Sequence, residues 1–221
     1  LHNKKNGYQF LHFTFTMYDI PYFKASDQKE VIAFMHDHPF IILCGADKNG
    51  QPVATHIPVL FKEKEDKLFL LAHTMKKQGH TNAFSENQRV LAIFYGPHTY
   101  VSASWYENKQ TASTWNYQAV HAKGILRFLD EESLLKILTG LTEKFENNLH
   151  SPALVQKMDE EYVKKMMQAI IAFEIEIISV EHVFKLSQNR DERSYQNIIG
   201  ELGKQDADAR AIAEEMKKRV C

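Results

Sequence analysis

Phe40-Ile41-Ile42-Leu43-Cys44-Gly45, then Asp47-Lys48-Asn49-Gly50, then the run 52–61: this stretch decides the fold. The first part is apolar, of strand length and bounded by turn residues, so it reads as a buried strand. Asn49-Gly50 tolerates positive φ at both central positions of a hairpin turn, which makes 52–61 the return strand. Upstream, Asp27 reads as a helix N-cap with Glu30 three residues on. Val31, Ile32, Phe34 and Met35 follow at helical spacing, and Pro39 ends the run. Downstream, 67–73 and 89–95 read as further strands and 99–105 as another. The segment 115–129 is rich in β-branched and aromatic residues, with Gly124 as a bend or bulge.

The pattern then changes. Asp130 caps a helix whose Leu134, Leu135, Ile137, Leu138, Leu141 and Phe145 form one apolar stripe. Ser151-Pro152 reads as a second helix start, with Tyr162, Val163, Met166, Met167 and Ile170 on its inner face. Phe173, Ile175 and Ile177 alternate with Glu174 and Glu176, a half-exposed strand. A polar segment, 185–194, follows. The tail 206–220 is a helix with Ala209, Ile212, Ala213 and Met216 on one side. Strands followed by helices favour α+β over α/β, so the chain reads as one antiparallel barrel with helices packed outside.

The bulk properties exclude several classes. The chain has 221 residues, with 27 Lys and Arg against 28 Asp and Glu and a formal charge of −1. Sequence-independent affinity for nucleic acid needs many cation–phosphate contacts, which a near-neutral chain with mixed charge does not supply in bulk. Hydrophobic residues at 44% and charged ones at 25% are a globular balance. Two cysteines, Cys44 and Cys221, are too few for a disulfide framework and suit a reducing, cytoplasmic setting. No apolar stretch approaches the roughly 20 residues that span a bilayer. Residues 1–16 precede the first methionine, Met17, and lack the apolar core of a secretory signal. They read as an extension upstream of the natural start or as added residues.

Common enzyme signatures are missing. Gly45-Ala46-Asp47-Lys48-Asn49-Gly50 begins like a phosphate loop, but Gln51-Pro52 stands where Lys and Ser or Thr are required. There is no C-x-x-C, H-E-x-x-H or G-x-S-x-G. His36 and His38, two apart at a helix end, point in different directions and make a poor ligand pair, so no metal site is expected.

Three segments are rich in polar and aromatic residues at strand-like positions: Thr55-His56-Ile57-Pro58, His73-Thr74-Met75-Lys76-Lys77, and Ser102 to Tyr106 together with Thr114-Trp115-Asn116-Tyr117. Such residues are costly inside a barrel unless hydrogen-bonded, so they line a mouth or an interface. Two lysines and nearby hydroxyls can grip a phosphate, Trp and Tyr rings can stack on a flat heteroaromatic ring, and Asn can read its polar edge. From the residues alone two readings stay open. One is a site for a phosphorylated planar cofactor. In the other, the lysines are a solvated turn and the aromatics a dimer core.

The chain resembles the PaiB-type FMN-binding split-barrel family, commonly described as negative transcriptional regulators. The resemblance is carried by Met17-Tyr18-Asp19-Ile20-Pro21-Tyr22-Phe23, by Asn49 to Pro58, by Ile93-Phe94-Tyr95-Gly96-Pro97-His98 and by Tyr100 to Tyr106. Thr114-Trp115-Asn116-Tyr117 with Val120-His121, and Lys185-Leu186-Ser187-Gln188-Asn189-Arg190, complete it. It implies an α+β antiparallel split β-barrel over 17–203 with peripheral helices and a C-terminal helix at 204–221. It also implies a homodimer with FMN in a groove at the dimer interface. Thr55 and His56 would line the groove, and His73, Thr74, Met75, Lys76 and Lys77 would face the phosphate and ribityl chain. Trp115 and Asn116 would approach the ring, and the segment Lys185 to Arg190, with Lys185, Gln188 and Asn189 as its binding residues, would close the site. Family members commonly read Gly-His-x-Ala-Arg-Ala-Asn-Pro at the phosphate segment, where this chain has Ala72-His73-Thr74-Met75-Lys76-Lys77-Gln78-Gly79. Lysine lacks the bidentate guanidinium grip, which bears on how firmly FMN is held.

The resemblance thus implies a flavin-binding regulatory or stress-associated protein. The alternative is an FMN-dependent oxidoreductase or flavin reductase using NAD(P)H, because a flavin brings its own hydride chemistry. Direct DNA contact has thin support: Lys217-Lys218-Arg219 is a short basic run at a helix end, where cations complement the macrodipole.

Overall fold

A computed structural model describes residues 17, 18 and 20–219. The readings of residues 1–16 and of Cys221 lie outside them.

Helix α1 (Gln28–Asp37) starts as its cap residue predicts, with the Asp27 carboxylate accepting from the Glu30 amide at 2.9 Å. Strands β1 (Phe40–Ala46) and β2 (Pro52–Pro58) form the expected hairpin, in register from Phe40↔Pro58 to Ala46↔Pro52. Its turn differs in detail. Only Gly50 takes positive φ (81°), and the Asp47 carboxylate accepts from the Asn49 and Gln51 amides at 2.8 and 2.9 Å. That side-chain bracing selects a three-residue loop ending in a left-handed glycine instead of a two-residue mirror-image turn.

The run 52–61 is two strands, not one. It breaks at Val59, whose amide donates to the Pro39 carbonyl at 2.8 Å, and β3 (Leu60–Lys64) follows. This break sets the architecture. With β4 (Lys67–Met75), β5 (Arg89–Val101), β6 (Thr114–Phe128) and β7 (Ile170–Lys185), the sheet order is β2-β1-β5-β6-β7-β4-β3. A flat sheet would hold its two edge strands roughly 29 Å apart at the usual strand spacing. Here one residue joins them, so the sheet curls and its edges meet. The result is α+β, an antiparallel split barrel.

Strand β5 joins two expected strands by running through Gly96-Pro97. The β1 ladder of β5 runs from Cys44↔Leu91 to Ile42↔Ile93 and does not reach Pro97, so its missing N–H costs no bond in that register. Gly124 in β6 serves close approach. A Cβ there would sit 2.5 Å from Ile175 Cγ2 and 2.6 Å from the Glu176 carbonyl oxygen.

Helix α2 (Gly79–Glu86) follows β4. Helix α3 (Glu131–Glu146) is capped by Asp130 as expected and buries Leu134, Ile137 and Leu141, but Leu135 and Phe145 are exposed. No helix starts at Ser151-Pro152. The Ser151 hydroxyl bonds Glu146, and α4 (Glu160–Met167) begins after its own cap, Asp159. Val163 and Met167 are buried there, while Tyr162 and Met166 face outward. The polar segment 185–194 hides the cap, Asp191, and the first residues of a helix not foreseen, α5 (Glu192–Leu202). Helix α6 (Ala207–Lys217) buries its four predicted residues.

The chain divides into two compact units. The first comprises Met35–Phe94 and His121–Val180. One of its apolar clusters joins Leu134, Ile137 and Leu141 of α3 to Val163, Met167 and Ala172. The second comprises 17–34, Tyr95–Val120 and 181–219, with a core of Val101, Tyr106, Tyr195, Ile198, Ile212 and Met216 among others.

Candidate functional site

In the first unit, β4 pairs antiparallel with β7, His73 opposite Ala172 and Met75 opposite Ile170. The ladder continues one residue further, where the Lys76 amide donates to the Ala169 carbonyl at 2.9 Å. Two side-chain bonds then fix the passage into α2. Thr81 Oγ1 donates to the Met75 carbonyl at 2.7 Å, and Thr74 Oγ1 and His80 Nε2 are 2.9 Å apart. Lys76 and Lys77 sit on this braced turn, exposed, and neither ammonium has an ion pair or hydrogen bond among the described residues. Gln78 occupies the cap position of α2 without a side-chain cap bond, and a Cβ on Gly79 would meet nothing within 4 Å. The first N–H groups of α2 are therefore uncapped, in open space, beside two free cations.

His73 stands at the head of this segment. Burial pushes its imidazole below the ordinary histidine value, and its Nδ1 is buried with no hydrogen-bond partner. His80 is lowered by burial too. Helix α2 packs on β1 and β2, and β2 also contacts β4, which brings Thr55 and His56 into the same unit as the lysine turn. Thr55 is half-buried. His56 is exposed, its ring stacked on Phe40 at 6.3 Å. A cavity of ≈ 240 Å³ opens beside Lys76, rimmed by Asp130 and Glu131 and floored by Leu129, Leu134 and Met167. It is below the size of pockets that enclose a drug-sized ligand.

The remaining candidates lie in the second unit. Trp115 is 52% exposed, with His98 stacked at 6.0 Å and Tyr100 edge-on at 6.0 Å. Tyr95, also exposed, lies 5.0 Å from His98, so these four rings form one aromatic face. Asn116 points the other way. It is fully buried, its Oδ1 accepting from the Ser187 hydroxyl at 3.0 Å and its Nδ2 donating to the Met216 sulfur at 3.5 Å. Asn116 and Trp115 thus lie on opposite faces of β6, the amide engaged within the core. Lys185 Nζ donates to Thr114 Oγ1. Gln188 braces its own turn, its Nε2 donating to the Phe184 carbonyl at 2.5 Å and its Oε1 accepting from the Leu186 amide at 2.7 Å. Asn189 is exposed.

Sequence reasoning overlooked His80, whose spacing from Thr74 across a turn gave no signal. Within the segment from Lys185 to Arg190, Ser187 is held at φ 63° and the Arg190 guanidinium lies 4.1 Å from the centre of the Tyr106 ring. In the basic run at the end of α6, Lys217 pairs with Glu214, Lys218 with Glu215 and Arg219 with Glu30. Among the described residues no group of three or more His, Cys, Asp or Glu converges as for a metal, and no helix is long and apolar enough to cross a membrane.

The curled antiparallel sheet places the chain in a class, the split-barrel proteins. The chain belongs to the family described as "Putative FMN-binding domain", whose model matches residues 17–179, and FMN is the cofactor. It is 33% identical over 205 residues to the Bacillus subtilis (strain 168) "Protease synthase and sporulation protein PAI 2", covering 92% of this chain and 98% of that one. The PaiB-type resemblance is thereby borne out. Two solved structures share the fold. The FAD and heme binding protein of Mycobacterium smegmatis is 15% identical with a TM-score of 0.53, over 73% of this chain and 72% of that one. The conserved hypothetical protein Rv2991 of Mycobacterium tuberculosis is 15% identical with a TM-score of 0.50, over 77% and 90%.

Proposed function

We propose that this chain is a PaiB-type regulatory protein, a cytoplasmic homodimer that holds FMN by its phosphate at the turn between β4 and α2. One observation carries the reading: Lys76 and Lys77 are free, exposed and adjacent to uncapped amides at the start of α2. A phosphate there meets two point charges and the positive end of a helix at once. The buried, unpartnered Nδ1 of His73 fits the same group. Neutral by virtue of its burial, His73 offers one ring nitrogen to a ribityl hydroxyl without adding charge. Thr55 and His56 extend the lining along β2.

When bound, FMN supplies the capacity to accept and give electrons; the chain supplies position and electrostatics. The second unit's exposed face of Tyr95, Tyr100 and Trp115 supports the homodimer, since aromatic rings are enriched at such interfaces. The name of the Bacillus subtilis relative, tied to protease synthesis and sporulation, supports the regulatory role.

The test is titration of the chain with FMN, followed by flavin fluorescence. Saturable binding at one flavin per chain is expected. A titration that never saturates would overturn the reading.

A further inference from the structure

We propose that residues 17–27 form a strap on the second unit that acid releases, with His182 of β7 as its catch. The strap holds a short 3-10 turn, Pro21–Phe23, and its internal bonds are local: the Phe23 amide donates to the Ile20 carbonyl at 2.9 Å and the Lys24 amide to the Pro21 carbonyl at 3.2 Å. Three hydrogen bonds tie it to two adjacent residues of β7. The Met17 amide donates to Glu181 Oε2 at 2.8 Å, the Lys24 ammonium to the His182 carbonyl at 3.4 Å, and the Ala25 amide to His182 Nε2 at 2.9 Å. Between these ties Phe23 is buried, with Lys185 Nζ 5.8 Å over its ring.

The Ala25 bond exists in one protonation state only. Nε2 accepts there, so the ring is neutral with its proton on Nδ1. Protonation turns a second N–H toward the Ala25 N–H and sets a cation beside Lys24, so an attraction becomes a repulsion. The ring lies edge-on to Phe184 at 5.5 Å, and Phe34 of α1 and the Arg219 guanidinium cover the same Phe184 ring at 5.1 and 5.8 Å. Of the charged groups around His182, Lys24 opposes the extra proton and Glu30 of α1 favours it. Glu30 is already engaged: it accepts from the Ser26 amide and hydroxyl at 2.6 and 3.0 Å and pairs with Arg219. Glu181, beside His182 on β7, accepts from Met17, and Tyr117 of β6 lies near Tyr18 of the strap. Burial first, and Lys24 second, hold the His182 imidazole below 6.5.

The closed strap thus refuses a proton that the open one takes. Opening is favoured as pH falls below 6.5, until the closed-state value is passed. From pH 7.5 to 5.5 that linkage amounts to about three- to tenfold in the closed-to-open ratio. Opening draws Phe23 from beneath Lys185, which carries the change from the N-terminal segment to the end of β7. Every group involved belongs to the second unit, and none of the flavin assignment is needed.

The test is amide hydrogen exchange of the full chain, without FMN, at pH 7.5 and 5.5, corrected for the intrinsic pH dependence of exchange. The Phe23, Lys24 and Ala25 amides should be less protected than the amides of α5 and α6 at both pH values, which marks a local opening. Their protection should fall about three- to tenfold in acid. His182→Gln keeps an acceptor and cannot titrate, so its strap should be equally protected at the two pH values. His182→Arg, a cation throughout, should leave the strap poorly protected at both. A second measurement needs no variant: the His182 ring resonances should titrate with a midpoint below 6.5, and the Ala25 amide resonance should move with the same midpoint. Four results overturn the proposal: strap protection that does not change with pH in the parent, an equal acid loss in His182→Gln, strap and helix amides sharing one protection, or a His182 midpoint at or above 6.5.

Discussion

Replacing both Lys76 and Lys77 by Ala removes the two charges that the phosphate assignment rests on while leaving the fold untouched. Both side chains are exposed and make no bond among the described residues, so no buried partner is stranded. The turn keeps its bracing through Thr81, Thr74 and His80. A unit charge about 4 Å from another is worth about 1 kcal/mol in water and about 4 kcal/mol near a protein surface of intermediate polarity. Taking about 1–1.5 kcal/mol per exposed lysine, the double variant should lose about 2–3 kcal/mol, a roughly 30- to 150-fold weaker Kd for FMN. The assay is flavin fluorescence titration at low salt and again at high salt. The parent's affinity should fall with salt and the variant's should fall less, because screening acts on the charges removed. Lys76→Arg with Lys77→Arg should bind at least as well as the parent, through the planar fork that lysine lacks. An unchanged melting temperature with unchanged FMN affinity would refute the assignment.

Gly124→Ala should destabilise the first unit by about 1–3 kcal/mol, because the new methyl meets Ile175 and an immovable carbonyl of Glu176. Melting should drop by roughly 3–10 °C for a chain of this size, and an unchanged melting curve would contradict the strand approach. Acid should weaken the fold below neutrality. Burial, the first cause in each case, holds His36, His73, His80 and His182 below the ordinary value of 6.5. The unfolded chain therefore takes up protons that the folded one refuses, and stability falls as pH drops below 6.5 until the folded values are passed. Asp130 and Asp191, held below 3.8 chiefly by their bonds to Ser133 and Ser194, withdraw a further contribution only in stronger acid. Urea midpoints at pH 7.5 and 5.5 read the first window; equal midpoints would refute it. Trp115→Ala should shift the chain from dimer toward monomer on a sizing column, and an unaltered elution would remove the aromatic face from the interface.

Local chemistry was legible and tertiary compensation was not. Asp27, Asp130 and the Asp47–Gly50 turn announce themselves because each cap or turn is decided by its own side chains. The passage of β5 through Pro97 is not decided by the proline itself, since the β1 ladder ends before it. The edge-to-edge jump at Val59 likewise depends on the whole sheet and leaves only Pro58 as a trace. Helix α5 was hidden by its polar residues, although Asp191 before Tyr195, Ile198, Ile199 and Leu202 carries a cap and a helical stripe. At the candidate site, His73 to Lys77 could be read as one group because they are contiguous at a strand end. Trp115 and Asn116 were read as one pair, yet neighbours on a strand point to opposite faces, and burial follows that alternation.

The central claim is that the turn after β4 recognises a flavin through its phosphate. Riboflavin is FMN without that group, so the ratio of their dissociation constants, measured by fluorescence under one buffer condition, isolates the claim. The account predicts that riboflavin binds at least about tenfold more weakly, the loss expected for one charge-assisted contact. Equal affinities would contradict it.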